Sequence, residues 1–168
     1  MEQLTLFRRG GERERAGRKP AGERALIAHS RRARVTRHTP VLVTTKLVEG
    51  LPSLRRERTL ELLRDTLAAG ADRFGFRLVE YSIQTNHVHL LVEAQDERAL
   101  GRGMKGLLVR LAKALNRAWE RRGRVIGDRY HALVLKTPRA VRNALVYTVQ
   151  NARKHGAQIL GIDAYSSG

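Results

Sequence analysis

The chain has 168 residues, 42% of them hydrophobic, with 33 Lys and Arg against 16 Asp and Glu and a formal net charge of +17. That length suits one domain with its own core, and that charge attracts polyanions, nucleic acid first among them. Cysteine is absent, which excludes disulfides and thiolate metal sites, so any metal must be held by His, carboxylate, amide or water. No apolar run approaches the ~20 residues that cross a bilayer, and no signal-peptide core follows the first residues. The expected compartment is the cytoplasm, with no membrane partner.

Residues 1–37 carry eleven Arg or Lys, four Glu and five Gly or Pro, with little hydrophobic periodicity. Such a segment buries too little apolar surface to offset its ordering entropy. It reads as a basic, disordered tail, either a solvated arm or a source of extra phosphate contacts. The domain proper is expected over 38–156, with a C-terminal tail over 157–168.

Residues 41–48, Val-Leu-Val-Thr-Thr-Lys-Leu-Val, read as a strand rich in β-branched side chains. Gly50-Leu51-Pro52 breaks it, and Ser53 is the expected N-cap of a helix striped by Leu60, Leu63 and Leu67. Residues 77–84 predict a second strand and 87–93 a third. The short Thr85-Asn86 connection pairs them as an antiparallel hairpin.

A long helix is predicted over 97–122, with Leu107, Leu108, Leu111, Leu115 and Trp119 at helical spacing. Gly101, Gly103 and Gly106 weaken its first half by up to ~1 kcal/mol each. Its polar face carries Arg102, Lys105, Arg110, Lys113 and Arg117, which fits either phosphate contact or an ordinary solvated surface. A fourth strand follows over 132–135. Thr137 as N-cap and Pro138 at the first helical position then open a helix over 139–154, closed by His155-Gly156. The order β-α-β-β-α-β-α predicts an α+β, ferredoxin-like sandwich with a central antiparallel sheet and an extra C-terminal helix.

The third strand carries the chemistry. In Asn86-His87-Val88-His89-Leu90-Leu91-Val92, alternation sets His87 and His89 on one face, their α-carbons ~6.5–7 Å apart. Two imidazoles at that spacing can hold one divalent cation, and on the face of the sheet away from the two helices they are expected to be half exposed. Two ligands make a poor site, so a third group is needed. Tyr147 and Asn151 stand at i and i+4, on one face of the last helix and ~6 Å apart along its axis. Asn151 can offer a carbonyl oxygen to a hard cation, and Tyr147 points at whatever that cation holds. The remaining candidates have plainer readings: His131 and His155 as surface or helix-end residues, Tyr81 and Tyr130 as packing or base-stacking residues, Asp128 as a turn acid beside Arg129, and Trp119 as core.

The Asn86–Val92 run, followed by Tyr147-Thr148-Val149-Gln150-Asn151, resembles the single-tyrosine HUH transposases, in their REP-associated, IS200-like branch. The resemblance spans residues 40–156, and Gly127-Asp128-Arg129-Tyr130-His131 is similar to the segment before that family's fourth strand. Thr85 and Ala152 stand where the family often has proline. No second tyrosine accompanies Tyr147 on its helix, unlike the two-tyrosine replication initiators. The resemblance implies that His87, His89 and Asn151 hold Mg²⁺ or Mn²⁺ and that Tyr147 attacks a phosphate of single-stranded, hairpin-forming DNA. It implies a 5′-phosphotyrosine link and a free 3′-hydroxyl, reversed later by a second 3′-hydroxyl, so that strands are exchanged without ATP. A neutral phenol is a poor nucleophile, and metal-bound hydroxide or Lys154 are the only bases suggested. Arg129 and Lys154 join the long helix's cations as candidate DNA contacts. The alternative is a catalytically idle or domesticated protein of the same fold that only binds nucleic acid. One helix carries both Tyr147 and Asn151, so a monomer as well as a homodimer can complete the site.

Overall fold

Among the described residues eight elements follow one another: β1 (Val41–Lys46), α1 (Glu57–Ala68), β2 (Asp72–Arg73), β3 (Phe76–Ile83), β4 (His87–Ala94), α2 (Glu97–Ala118), β5 (His131–Val134) and α3 (Pro138–Lys154). The computed structural model describes residues 34–154 and 163–167, with 150–154 described by backbone alone. Most of the expected basic tail, residues 1–33, lies outside the described residues. The strands form one sheet in the order β2-β3-β4-β1-β5, and each neighbouring pair is antiparallel. Setting aside the two-residue β2, this is the ferredoxin-like order expected from the sequence, with α3 as the added helix.

Alternation along β1 and β4 builds the core. Val41, Val43, Val88, Leu90 and Val92 are buried, and their register pairs Val43 with Leu90 and Val41 with Val92. Against this face pack Leu63 and Leu67 of α1 and Leu100, Met104, Leu107, Leu111 and Leu115 of α2. The stripe at i, i+3, i+4 and i+7 is what turns these helices onto the sheet.

Three local expectations change. The first helix begins at Glu57, and its N-cap is Arg56, which makes no side-chain capping bond. Leu54 is fully buried and its N–H donates to the Thr85 carbonyl at 2.9 Å, so tertiary docking of Leu54 keeps 53–56 out of the helix. Ser53 only accepts from the Arg55 N–H. The strand β2 was not expected; it folds back on β3 through Phe74 and Gly75, both at positive φ. Finally, α2 begins as predicted, with Asp96 accepting from the Ala99 N–H at 2.7 Å, but ends at Ala118 rather than 122. Glu120 and Gly123 take positive φ there, and Asn116 and Arg121 close the turn with side-chain bonds.

The second face of the sheet is not open. Helix α3 packs across β3 and β4, with Leu91, Leu135 and Ala144 forming a small second cluster. Residues 163–167, within the tail expected over 157–168, return to β3. The Ile83 N–H donates to the Tyr165 carbonyl at 2.8 Å, and Ser82 bridges Ser166. Arg55 donates two bonds to Asp163, at 2.7 and 2.8 Å, and its guanidinium lies 4.3 Å from the Tyr165 ring centre. Burial pushes the Asp163 carboxyl up, but the Arg55 bond, the Tyr165 N–H and the Arg55 charge outweigh it and hold it below the usual value.

Candidate active site

The register of the sheet assembles a polar row on the α3 face. His89 on β4 stands opposite Thr44 on β1 and Ser82 on β3, and Thr44 stands opposite His131 on β5. Directly opposed residues share a face, so these four side chains emerge side by side. One step along, His87 stands opposite Lys46. Buried Gln84 donates to the Ser82 hydroxyl at 2.8 Å and closes the row on the β3 side.

Both histidines are oriented by neighbours. The Thr44 hydroxyl lies 3.0 Å from His89 Nδ1, and the Asn86 side-chain oxygen lies 2.9 Å from His87 Nδ1. The two rings meet edge to face, with centroids 4.8 Å apart. His87 is half-buried, but His89 is only 5% exposed, because α3 lies over it. The half-exposed pair expected from the sequence is corrected for His89 on this ground.

Tyr147 reaches the pair from α3. Its hydroxyl lies 3.5 Å from His89 Nε2, at the outer limit of hydrogen bonding, and the two ring centroids are 5.1 Å apart. Tyr147 is half-buried, while the following Thr148 is fully buried and donates to the Ala144 carbonyl. That buried residue fixes the rotation of the helix and so the aim of its neighbour.

The structure thus brings together His87, His89 and Tyr147. Asn151 lies four residues beyond Tyr147 on α3, but its side chain, like that of Lys154, is outside the described residues, as is His155. Among the described residues no three His, Asp or Glu side chains group as metal ligands. The two imidazoles do fit a cation's needs. Each ring has its Nδ1 engaged by an oxygen, the outer-shell arrangement that orients metal-binding histidines. Thr44 and Ser82 escaped the sequence reading, and Asn86 entered it without its role at His87 Nδ1; only a strand register could have placed the first two beside His89.

The candidate DNA-binding cations divide. Arg102, Lys105, Lys113 and Arg117 are exposed and Arg110 is half-buried, all on α2. That helix covers the opposite face of the sheet from the histidines, so the sheet separates its cations from the site. Arg110 donates to the Ala69 carbonyl at 3.2 Å. Arg129 lies on the loop that runs along the end of β1, where the Gly127 N–H donates to the Lys46 carbonyl at 2.8 Å. It therefore stands at the histidine end of the sheet. No described helix is long and apolar enough to cross a membrane.

Comparison with known proteins bears on the fold and the family. A REP-associated tyrosine transposase bound to a REP hairpin matches 77% of this chain and 75% of its own, with a TM-score of 0.62 and 14% identity. At that identity the likeness is one of fold. A candidate transposase from Deinococcus radiodurans R1 matches 78% of this chain and 97% of its own, with a TM-score of 0.45 and 16% identity. No functionally curated protein matches. The profile of the IS200-like transposases matches residues 51–136, more than half of the chain and including both histidines, with Tyr147 beyond its end. The chain belongs to the IS200-like transposase family.

Proposed function

We propose that this transposase is a metal-dependent, single-tyrosine HUH enzyme that cuts and rejoins single-stranded, hairpin-forming DNA through a 5′-phosphotyrosine link. The observation that carries this reading is the approach of the Tyr147 hydroxyl to within 3.5 Å of His89 Nε2. A nucleophile-bearing residue is thereby held at a histidine pair on an adjoining element. The strongly positive chain and the fold shared with a hairpin-bound transposase support DNA as the partner.

In this mechanism the phenol oxygen of Tyr147 forms a bond to phosphorus as the bond to the 3′-oxygen breaks. The phenol loses one proton and the departing 3′-oxygen gains one. Attack by a second 3′-hydroxyl reverses both changes, restores Tyr147 and joins the new strand. Thr44 and Asn86 hold the imidazoles in orientation, and α3 holds the phenol at their edge while excluding water from His89. Mg²⁺ or Mn²⁺ held by His87, His89 and Asn151 would polarise the scissile phosphate and offset its charge. Residues 38–156 carry all these groups, so one chain suffices as a monomer, and a homodimer would hold two such sites.

The test is covalent capture. Labelled single-stranded DNA bearing hairpins, incubated with the protein and Mn²⁺, should give an SDS-resistant adduct that Tyr147→Phe abolishes. No adduct across a hairpin library, or equal adduct from wild type and variant, would leave the idle or domesticated nucleic-acid-binding protein as the better reading.

A further inference from the structure

A cavity of about 710 Å³ lies between the first half of α3 and the sheet edge made by β1 and β5, with Tyr147 in its wall. Its floor is apolar: Leu42 and Leu133 oppose each other across β1 and β5, and Leu135, Ala144 and Val146 complete it. Leu133 and Val146, 52% and 47% exposed, stand together on this one cleft. An adjoining cavity of about 470 Å³ shares Leu135 and Arg142 with the first and adds His38 and Lys136. Among the described residues, neither wall contains a carboxylate.

The position of the cavity matters as much as its lining. Leu42 and Leu133 lie two residues from Thr44 and His131, on the same face and ~6.5–7 Å further along the strands. The cavity therefore starts one strand step from the histidine row, on the scale of a single nucleotide. We propose that it seats an unstacked nucleobase of the scissile strand, next to the phosphate attacked by Tyr147, with Arg142 on the flanking phosphate. An apolar cleft in a cationic rim gains from a base only when its faces are not already stacked, which selects single strands over duplex. The volume lies within the ~300–1,000 Å³ of small-molecule sites.

The proposal rests on Tyr147 as the nucleophile, but its test reads binding and not cleavage, so the two can fail separately. The probes are a deoxythymidine decamer and an abasic decamer with the same number of phosphates. Wild-type protein should bind the thymidine strand about fivefold more tightly, the gain from burying roughly 40 Å² of one base against the apolar floor. Leu133→Thr and Val146→Gln, both at exposed positions, should each bring that ratio toward one. Their affinity for the abasic strand should stay unchanged, which also shows that they fold. Equal affinities in wild type, a preference that survives in both variants, or an equal loss for both strands would overturn the proposal. So would sedimentation showing a wild-type dimer that Leu133→Thr dissociates, since a second copy would then cover the cleft.

Discussion

The two faces of the sheet use the same strands for opposite ends. On β4, Val88, Leu90 and Val92 enter a continuous apolar core under α1 and α2, while His87 and His89 enter a polar row under α3. The first face is held by Leu63 and Leu67 of α1 and by Leu100, Met104, Leu107, Leu111 and Leu115 of α2; the second has Leu91, Leu135 and Ala144 as its small apolar anchor. Period-two alternation thus separates stability from chemistry within single strands. Substitutions on one face should lower stability, and those on the other should remove activity with the fold intact.

The sharpest break of this contrast is His87→Ala. It should abolish metal-dependent adduct formation while salt-sensitive DNA binding and the melting temperature stay near wild type; equal loss of binding would assign His87 a structural role. On the apolar face, Leu63→Ala should cost about 3 kcal/mol in denaturant unfolding, with adduct formation retained under native conditions.

Arg55→Met leaves the buried Asp163 carboxylate without its partner and should cost about 3 kcal/mol. Since Asp163 titrates below its unfolded value, its contribution is complete above the unfolded carboxylate pKa. It is lost as pH falls through the folded one. Asp163→Asn should therefore flatten the acid limb of a melting-temperature profile, and an unchanged limb would remove Asp163 from the account.

Thr44→Val deletes the hydroxyl at His89 Nδ1 and should lower metal affinity, read by isothermal titration with Mn²⁺, by about 10–100-fold. Two glycines of α2 divide by the space around them. Gly103→Ala drives a Cβ into the Phe76 ring and should destabilise by about 1–3 kcal/mol. Gly106→Ala meets nothing and should stabilise by up to ~1 kcal/mol.

Periodicity carried most of the architecture. The β-branched run at 41–48, the leucine stripe of α2 and Thr137-Pro138 at the start of α3 each encode their element within a few adjacent residues. Thr137 accordingly accepts from the Ala140 N–H at 3.1 Å. What escaped depends on partners distant in sequence. Ser53 has the chemistry of an N-cap, but the burial of Leu54 decides where α1 begins. The spacing of His87 and His89 was legible because a strand has period two. The burial of His89, and Thr44 and Ser82 beside it, were not, because register and the path of α3 are tertiary properties. Asn151 and Tyr147 remain linked by helical spacing alone.

The clasp between Arg55 and Asp163 joins residues 108 positions apart. Residues 163–167 are thereby tied to the segment before α1 as well as to β3, so one ion pair links the entry of the first helix to the edge of the sheet. Because the cost of closing a loop grows only slowly with its length, that separation adds little to the cost of forming the clasp.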